Sequence, residues 1–203
     1  MIHPRPVVLE GNGIRLEPLE SSHLDALRAA AADGELWNLW YVSTAELAPD
    51  RGSSYVDIAL RGQHDGHMLP WVVRESTSGE IIGSSRYCEM VPAIDRVEIG
   101  YTFYAERWQR THVNTGCKLL LLAHAFDTLG CSVVGFRVDN LNVKSQTAMQ
   151  ALGATRDGII RRFQPRADGS ARDTYIYSIL DSEWPDVRRH LERRLQRHSG
   201  RGV

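Results

Sequence analysis

Acidic residues are missing from the one stretch where helix physics asks for them. Between Arg107 and Lys118 the sequence holds no Asp or Glu, although it opens an apolar helical pattern that runs on through "CKLLLLAHAF". The first turn of a helix has four N–H groups without partners and draws negative charge. Here Arg107, Arg110 and His112 stand at that entrance instead, so the missing charge is expected from outside, as a bound anion. Cysteine is scarce too: Cys88, Cys117 and Cys131 show neither CxxC spacing nor an even framework, which excludes a disulfide scaffold and points to packed free thiols. Long apolar runs are absent, the longest being Leu119 to Ala123, far too short to span a bilayer. The N-terminal "MIHPRPVVLEGNG" carries no apolar signal region, so a soluble cytoplasmic protein is expected. Net charge of either sign is lacking as well. At -1 overall, no global field draws the chain to nucleic acid or membrane, and any anion site must be local.

What is present fits one domain over residues 1–203, since 203 residues at 42% hydrophobic composition support one good core. No repeat, low-complexity block or linker divides the chain. "VVLEGNGIRLEPL" reads as two short strands around a Gly-Asn-Gly turn, with Ser21 and Ser22 capping a helix from Leu24 to Ala32. A second helix is expected near Ser53 to Leu60. Strands follow at Trp71 to Glu75, Ile81 to Tyr87 and Val97 to Tyr104, an antiparallel meander. A helix from Val113 to Leu129 and a strand in "CSVVGFRV" then imply a parallel crossover. Val143 to Leu152 reads as a short helix closed by Gly153, followed by a hairpin of Gly158 to Phe163 and Thr174 to Leu180. An amphipathic helix, about 184–198, ends the chain with Val187, Leu191 and Leu195 on one face. Its basic stripe is expected to be a solvated face, so nucleic acid is not expected as a partner.

Strict alternation along "VEIGYTFY" places Glu98, Gly100 and Thr102 on one face of a strand and Val97, Ile99 and Tyr101 on the other. A carboxylate at Glu98 then faces a cleft beside a small residue, or is ion-paired to Arg86 or Arg96. Trp37, Trp40 and Tyr41 form an aromatic group that suits either a substrate pocket or a core. His64 and His67 have no third ligand nearby, so no metal is expected. His124 reads as a packed or surface histidine rather than a base.

The segments "VEIGYTFYAERWQRTHVNTGCKLLLLAHAFDTLG", "VDNLNVKSQTAMQALGA" and "RDTYIYSILDSEW" together resemble the GNAT N-acetyltransferases, in particular the branch of the ribosomal-protein N-terminal acetyltransferases. The likeness runs from Val97 to Trp184 with a weaker echo in "GNGIRLEPL". It implies an α/β (α+β mixed sheet) fold, mostly antiparallel, with two splayed central strands and flanking helices. It also implies transfer of an acetyl group from acetyl-CoA to a primary amine by direct attack in a ternary complex, as a monomer or homodimer. On this resemblance the pyrophosphate lies on the turn of Gln109, Arg110, Thr111, His112, Val113 and Asn114. The family's glycines are missing from that turn. The thioester oxygen lies near the backbone of Ile99 to Tyr101, Glu98 is the base, and Asn142 contacts the cofactor unless it only caps its helix. The Tyr that many relatives place after the second splayed strand is here Met149, which leaves Ser145 as the candidate partner of the leaving thiolate. The acceptor is a peptide α-amine or a small amine, with Trp37, Trp40 and Tyr41 beside it. A second possibility is an acyl-CoA-binding sensor with little or no transfer.

Overall fold

A computed structural model describes residues 2–39, 43–166 and 168–199. Trp40 and Tyr41 lie outside the described residues. The Gly-Asn-Gly turn joins β1 (Leu9–Gly11) to β2 (Ile14–Pro18), with Asn12 and Gly13 both at positive φ. The next helix does not begin on a serine cap. Ser21–His23 forms a tight turn entered by a reciprocal pair, in which the Glu20 backbone N–H donates to His23 Nδ1 at 3.1 Å, and α1 (Leu24–Ala32) follows. After α2 (Ser54–His64) come β3 (Leu69–Glu75), β4 (Ile81–Val91) and β5 (Arg96–Tyr104). The crossover helix α3 (Val113–Ala123) ends in one wide π turn, His124–Thr128, before β6 (Val133–Asp139). Helix α4 (Val143–Leu152), the hairpin β7 (Thr155–Pro165) and β8 (Ala171–Leu180), and α5 (Trp184–Ser199) complete the chain.

The eight strands make one sheet in the order β1-β2-β3-β4-β5-β6-β8-β7. Every pairing is antiparallel except β5 with β6, where the α3 crossover forces a parallel pair. One face of the sheet carries Tyr87, Val97, Ile99, Val134 and Phe136 against α3, α4 and α5. The other carries Val72, Ile81 and Phe103 against Leu27 of α1 and Tyr55 of α2. Helix α5 docks through Val187, Leu191 and Leu195, all buried. Three of its arginines are engaged close to home: Arg188 with Asp127 and Glu192, Arg189 with Asp186, and Arg194 with the Ala151 carbonyl. Much of the basic stripe is thus paired within the protein.

His124 is a packed histidine. Its ring lies 5.8 Å from that of Tyr87 at an interplanar angle of 4°, and burial pulls its pKa below the ordinary value. The Tyr87 hydroxyl donates to the Leu121 carbonyl at 2.5 Å, where the helix widens into its π turn.

Candidate active site

The two central strands stay together for only three residues. Arg96, Val97 and Glu98 of β5 pair with Val133, Val134 and Gly135 of β6, and the ladder stops there. Beyond Glu98 the β6 side of β5 faces a gap. Gly135 stands at the closing point because no Cβ fits: it would lie 2.6 Å from an Arg96 nitrogen and 3.0 Å from Glu98 Cγ.

A bulge in β5 causes the parting. The register with β4 slips between Ser84 and Arg86, and Tyr101 takes the left-handed conformation at φ 52°. One extra residue reverses the alternation beyond it, so the simple face assignment from the sequence fails. Tyr101 lies on the face of Glu98 and Gly100, its ring 4.5 Å from the Arg86 guanidinium, while Thr102 turns toward α3. Arg86 is buried between Tyr101 and Tyr55, whose ring lies 4.3 Å from it on the other side, and it donates to the Tyr55 carbonyl at 3.1 Å. Arg86 therefore clamps the bulge and is not the partner of Glu98.

Glu98 is 8% exposed and held by two other arginines. Arg96 donates to Oε1 at 3.2 Å and Arg137, from β6, donates to Oε2 at 2.6 Å. Arg137 also reaches Glu89 at 2.9 Å. The carboxylate thus ties the last paired residue of β5 across the mouth of the gap to β6. Both of its oxygens already accept charge-assisted hydrogen bonds.

At the other end of the gap, β5 leads through Glu106–Trp108 into the turn before α3. Gln109 folds back to donate to the Tyr104 carbonyl at 3.1 Å, and Thr111 Oγ1 donates to the Trp108 carbonyl at 2.7 Å. Arg110 adopts φ 62°, the conformation for which glycine is ordinarily used. His112 leans over the β1 to β2 turn, with Nε2 3.6 Å from where a Cβ on Gly13 would stand. The Val113 N–H donates to Thr111 Oγ1 at 3.3 Å, and no acidic residue lies in the first turn of α3. Among the described residues, Arg110 has no acidic group within ion-pair distance. Arg107 does not share that freedom, since it pairs with Asp33 at 2.8 Å and with Glu80. The anion-seeking group thus reduces to Arg110, Thr111, His112 and the free amides at the start of α3.

Asn142 is the cap of α4, its Oδ1 accepting from the Ser145 backbone N–H at 3.0 Å. Its side-chain nitrogen is left for another partner. Ser145 is half-buried on the first turn, whereas Met149 is 5% exposed in the main core. Trp37 is half-buried against the α1–α2 core. Among the described residues no group of His, Cys, Asp or Glu is arranged to hold a metal ion.

Three features escaped the sequence reading. One is the Arg86 clamp. Another is Lys118, 4% exposed, whose Nζ donates to Thr102 Oγ1 at 3.0 Å beneath the gap. Its signal was legible, since Lys118 shares helical spacing with the apolar Leu121 and Leu122. The last is Asp139 at the end of β6, buried and gripped by Arg166 at 2.7 and 3.0 Å, with Arg172 3.7 Å away. Burial alone would raise Asp139, but the hydrogen bonds from Arg166 and the Leu141 N–H hold its pKa below the ordinary carboxylate value.

Comparison with known proteins supplies the identification. The acetyltransferase (GNAT) domain matches residues 14–155, which span the sheet from β2 to the start of β7 and so include the whole gap. The chain belongs to the GNAT acetyltransferase family. Among solved GNAT structures, the GCN5-related N-acetyltransferase from Brucella melitensis is 29% identical with a TM-score of 0.85, covering 95% of this chain and 86% of that one. The RimJ protein of Mycobacterium smegmatis, solved in complex with CoA-disulfide, shares the GNAT fold at 21% identity and a TM-score of 0.76, over 92% and 93% of the two chains. The N-acetyltransferase YoaA of Bacillus subtilis, itself uncharacterized, is 21% identical over 173 residues, 85% of this chain and 96% of its own. Ribosomal-protein acetyltransferases thus stand among the structural neighbours of this GNAT chain.

Proposed function

We propose that the protein transfers an acetyl group from acetyl-CoA to a primary amine within a ternary complex. The observation that carries this reading is the gap itself: two strands part at Glu98 and Gly135, and the widening space leads to a helix start lined with unpartnered amides and Arg110. A long thioester substrate with a doubly charged pyrophosphate fits both ends. In this reading, Arg110, Thr111, His112 and Asn114 hold the pyrophosphate, helped by the α3 dipole, while Gln109 and Val113 shape the turn.

The thioester carbon then lies near the closing point of the gap. The amine nitrogen attacks that carbon, the C–N bond forms, the C–S bond breaks, and the amine loses one proton while the thiolate gains one. Backbone N–H groups of Ile99 to Tyr101, released from any β6 partner by the bulge, favour the oxyanion. Glu98 accepts the amine proton directly or through a water. Its two arginines, Arg96 and Arg137, hold it in one orientation. Ser145 donates a hydrogen bond to the leaving thiolate, and Asn142 offers its free amide to the arm. The acceptor is a peptide α-amine or a small amine, entering beside Trp37 from the α1–α2 side. The naming of RimJ and ribosomal-protein acetyltransferases among the neighbours supports the peptide.

The double clamp on Glu98 and the burial of Met149 favour a second reading, an acyl-CoA-binding module with little transfer. Thiol release from acetyl-CoA, followed across a panel of small amines and N-terminal peptides, separates the two. An enzyme releases CoA faster with at least one acceptor, and a sensor binds acetyl-CoA without release.

A further inference from the structure

Lys118 is one of only two lysines in the chain, against 22 arginines, and it is the one placed in the interior. Its ammonium has three donors and one hydrogen-bond partner, the neutral Thr102 hydroxyl. The ring of Phe136, on β6, lies 5.9 Å away. Thr102 stands on β5 and Phe136 on β6, both beyond the point where the two strands separate. The ammonium thus sits under the gap, within reach of both of its walls. A cation with unmet donors and no carboxylate partner is a costly thing to bury. Its unmet donors have one obvious acceptor class, amide carbonyl oxygens in the gap.

We propose that Lys118 donates to an amide carbonyl of the pantetheine arm, and that acyl-CoA affinity therefore depends on the charge of this lysine. The inference rests on the acyl-CoA reading above. Burial has already pulled the Lys118 pKa from 10.5 to about 8, so the group changes charge within an accessible range. The other titratable groups facing it stay neutral there: burial pushes Cys88 on β4 and Cys117 on α3 up to about 12, and raises Tyr104 on β5 well above the ordinary tyrosine value. A carbonyl that accepts from the ammonium favours the protonated form, so the bound-state pKa exceeds the free one. Affinity is then full below pH 8 and is lost as pH rises through the free value.

The test is the dissociation constant of acetyl-CoA, with no acceptor present, at pH 7.5 and 9.5. This window lies above the second phosphate ionisation, near ~6, so ligand charge is constant. The wild-type protein should bind on the order of 10-fold more weakly at pH 9.5, the worth of one charge-assisted hydrogen bond. Lys118→Met should bind as weakly at both values. Lys118→Arg, which keeps its charge, should lose the pH dependence while retaining affinity at pH 9.5. Equal wild-type affinity at the two pH values overturns the proposal without any variant, as does a Lys118→Met protein with the wild-type profile. Absence of acetyl-CoA binding to the wild type at either pH would sink the acyl-CoA reading itself, a different and recognisable failure.

Discussion

Arg110 offers a way to separate backbone from side chain in the turn proposed to hold the pyrophosphate. The residue holds φ 62° and is exposed, with its guanidinium unpaired by any acid among the described residues. A non-glycine residue in that conformation costs about 1–2 kcal/mol. Arg110→Gly removes the cost, less about 0.5–1 kcal/mol for the freer unfolded chain, so net stability should rise by about 0.5–1 kcal/mol. For a chain of this length that corresponds to roughly 1–4 °C in Tm. Arg110→Ala keeps a Cβ at positive φ and should gain nothing. The two variants should nevertheless lose the same acetyl-CoA affinity, about 1–3 kcal/mol or ~5- to 150-fold, since both lack the guanidinium and both keep the α3 amides and dipole. Calorimetric titration at low and high salt, beside thermal melts, reads both quantities. The salt dependence of binding should flatten in both variants. Wild-type affinity in the glycine variant would remove the side chain from the site. Identical melting of the glycine and alanine variants would show that the left-handed backbone carries no cost, and the account of the missing glycine would be wrong.

Glu98→Gln keeps the shape of the carboxylate but removes proton acceptance, so kcat should fall about 10²-fold with acetyl-CoA binding little changed; an unaltered kcat and pH profile would leave Glu98 as a clamp between β5 and β6. Ser145→Ala should lower the single-turnover rate on the order of 10-fold without altering the fold, because a thiolate is a good leaving group, and a wild-type rate would hand the proton to solvent. Arg166→Met strands the buried Asp139 carboxylate and should destabilise the protein by about 3–5 kcal/mol in a denaturant melt. Because Asp139 has a depressed pKa when folded, its contribution is present at neutral pH and lost as pH falls through the folded value, so the wild type and variant should converge in stability in strong acid. For Lys118 the slope has the same sign in an alkaline window: the unfolded chain binds its proton more tightly, so wild-type stability should climb by about 3 kcal/mol between pH 8 and 10.5, and a Lys118→Met protein should lack that rise.

Local patterns carry local information, and most of the fold was legible from them. Helical spacing in "CKLLLLAHAF", the β-branched run of β6, the Gly153 stop and the Gly-Asn-Gly turn each specify an element within a few residues of where it stands. The missing acids before Val113 likewise marked the helix start that carries free amides. The serine cap of α1 failed because Glu20 and His23 satisfy each other, a pairing with no strong signature. What no local pattern contains is the bulge. Tyr101 has no preference for positive φ, and it adopts that conformation because Arg86, 15 positions earlier, stacks between it and Tyr55. That contact reverses the faces of β5, parts it from β6 after three residues, turns Thr102 toward Lys118 and leaves Arg96 and Arg137 to close on Glu98. Element identity follows from neighbours in sequence. The gap depends on residues of α2, β4, β5 and β6 that meet only when the sheet is assembled, because a cation buried between two rings is stable only after all three groups have left water together.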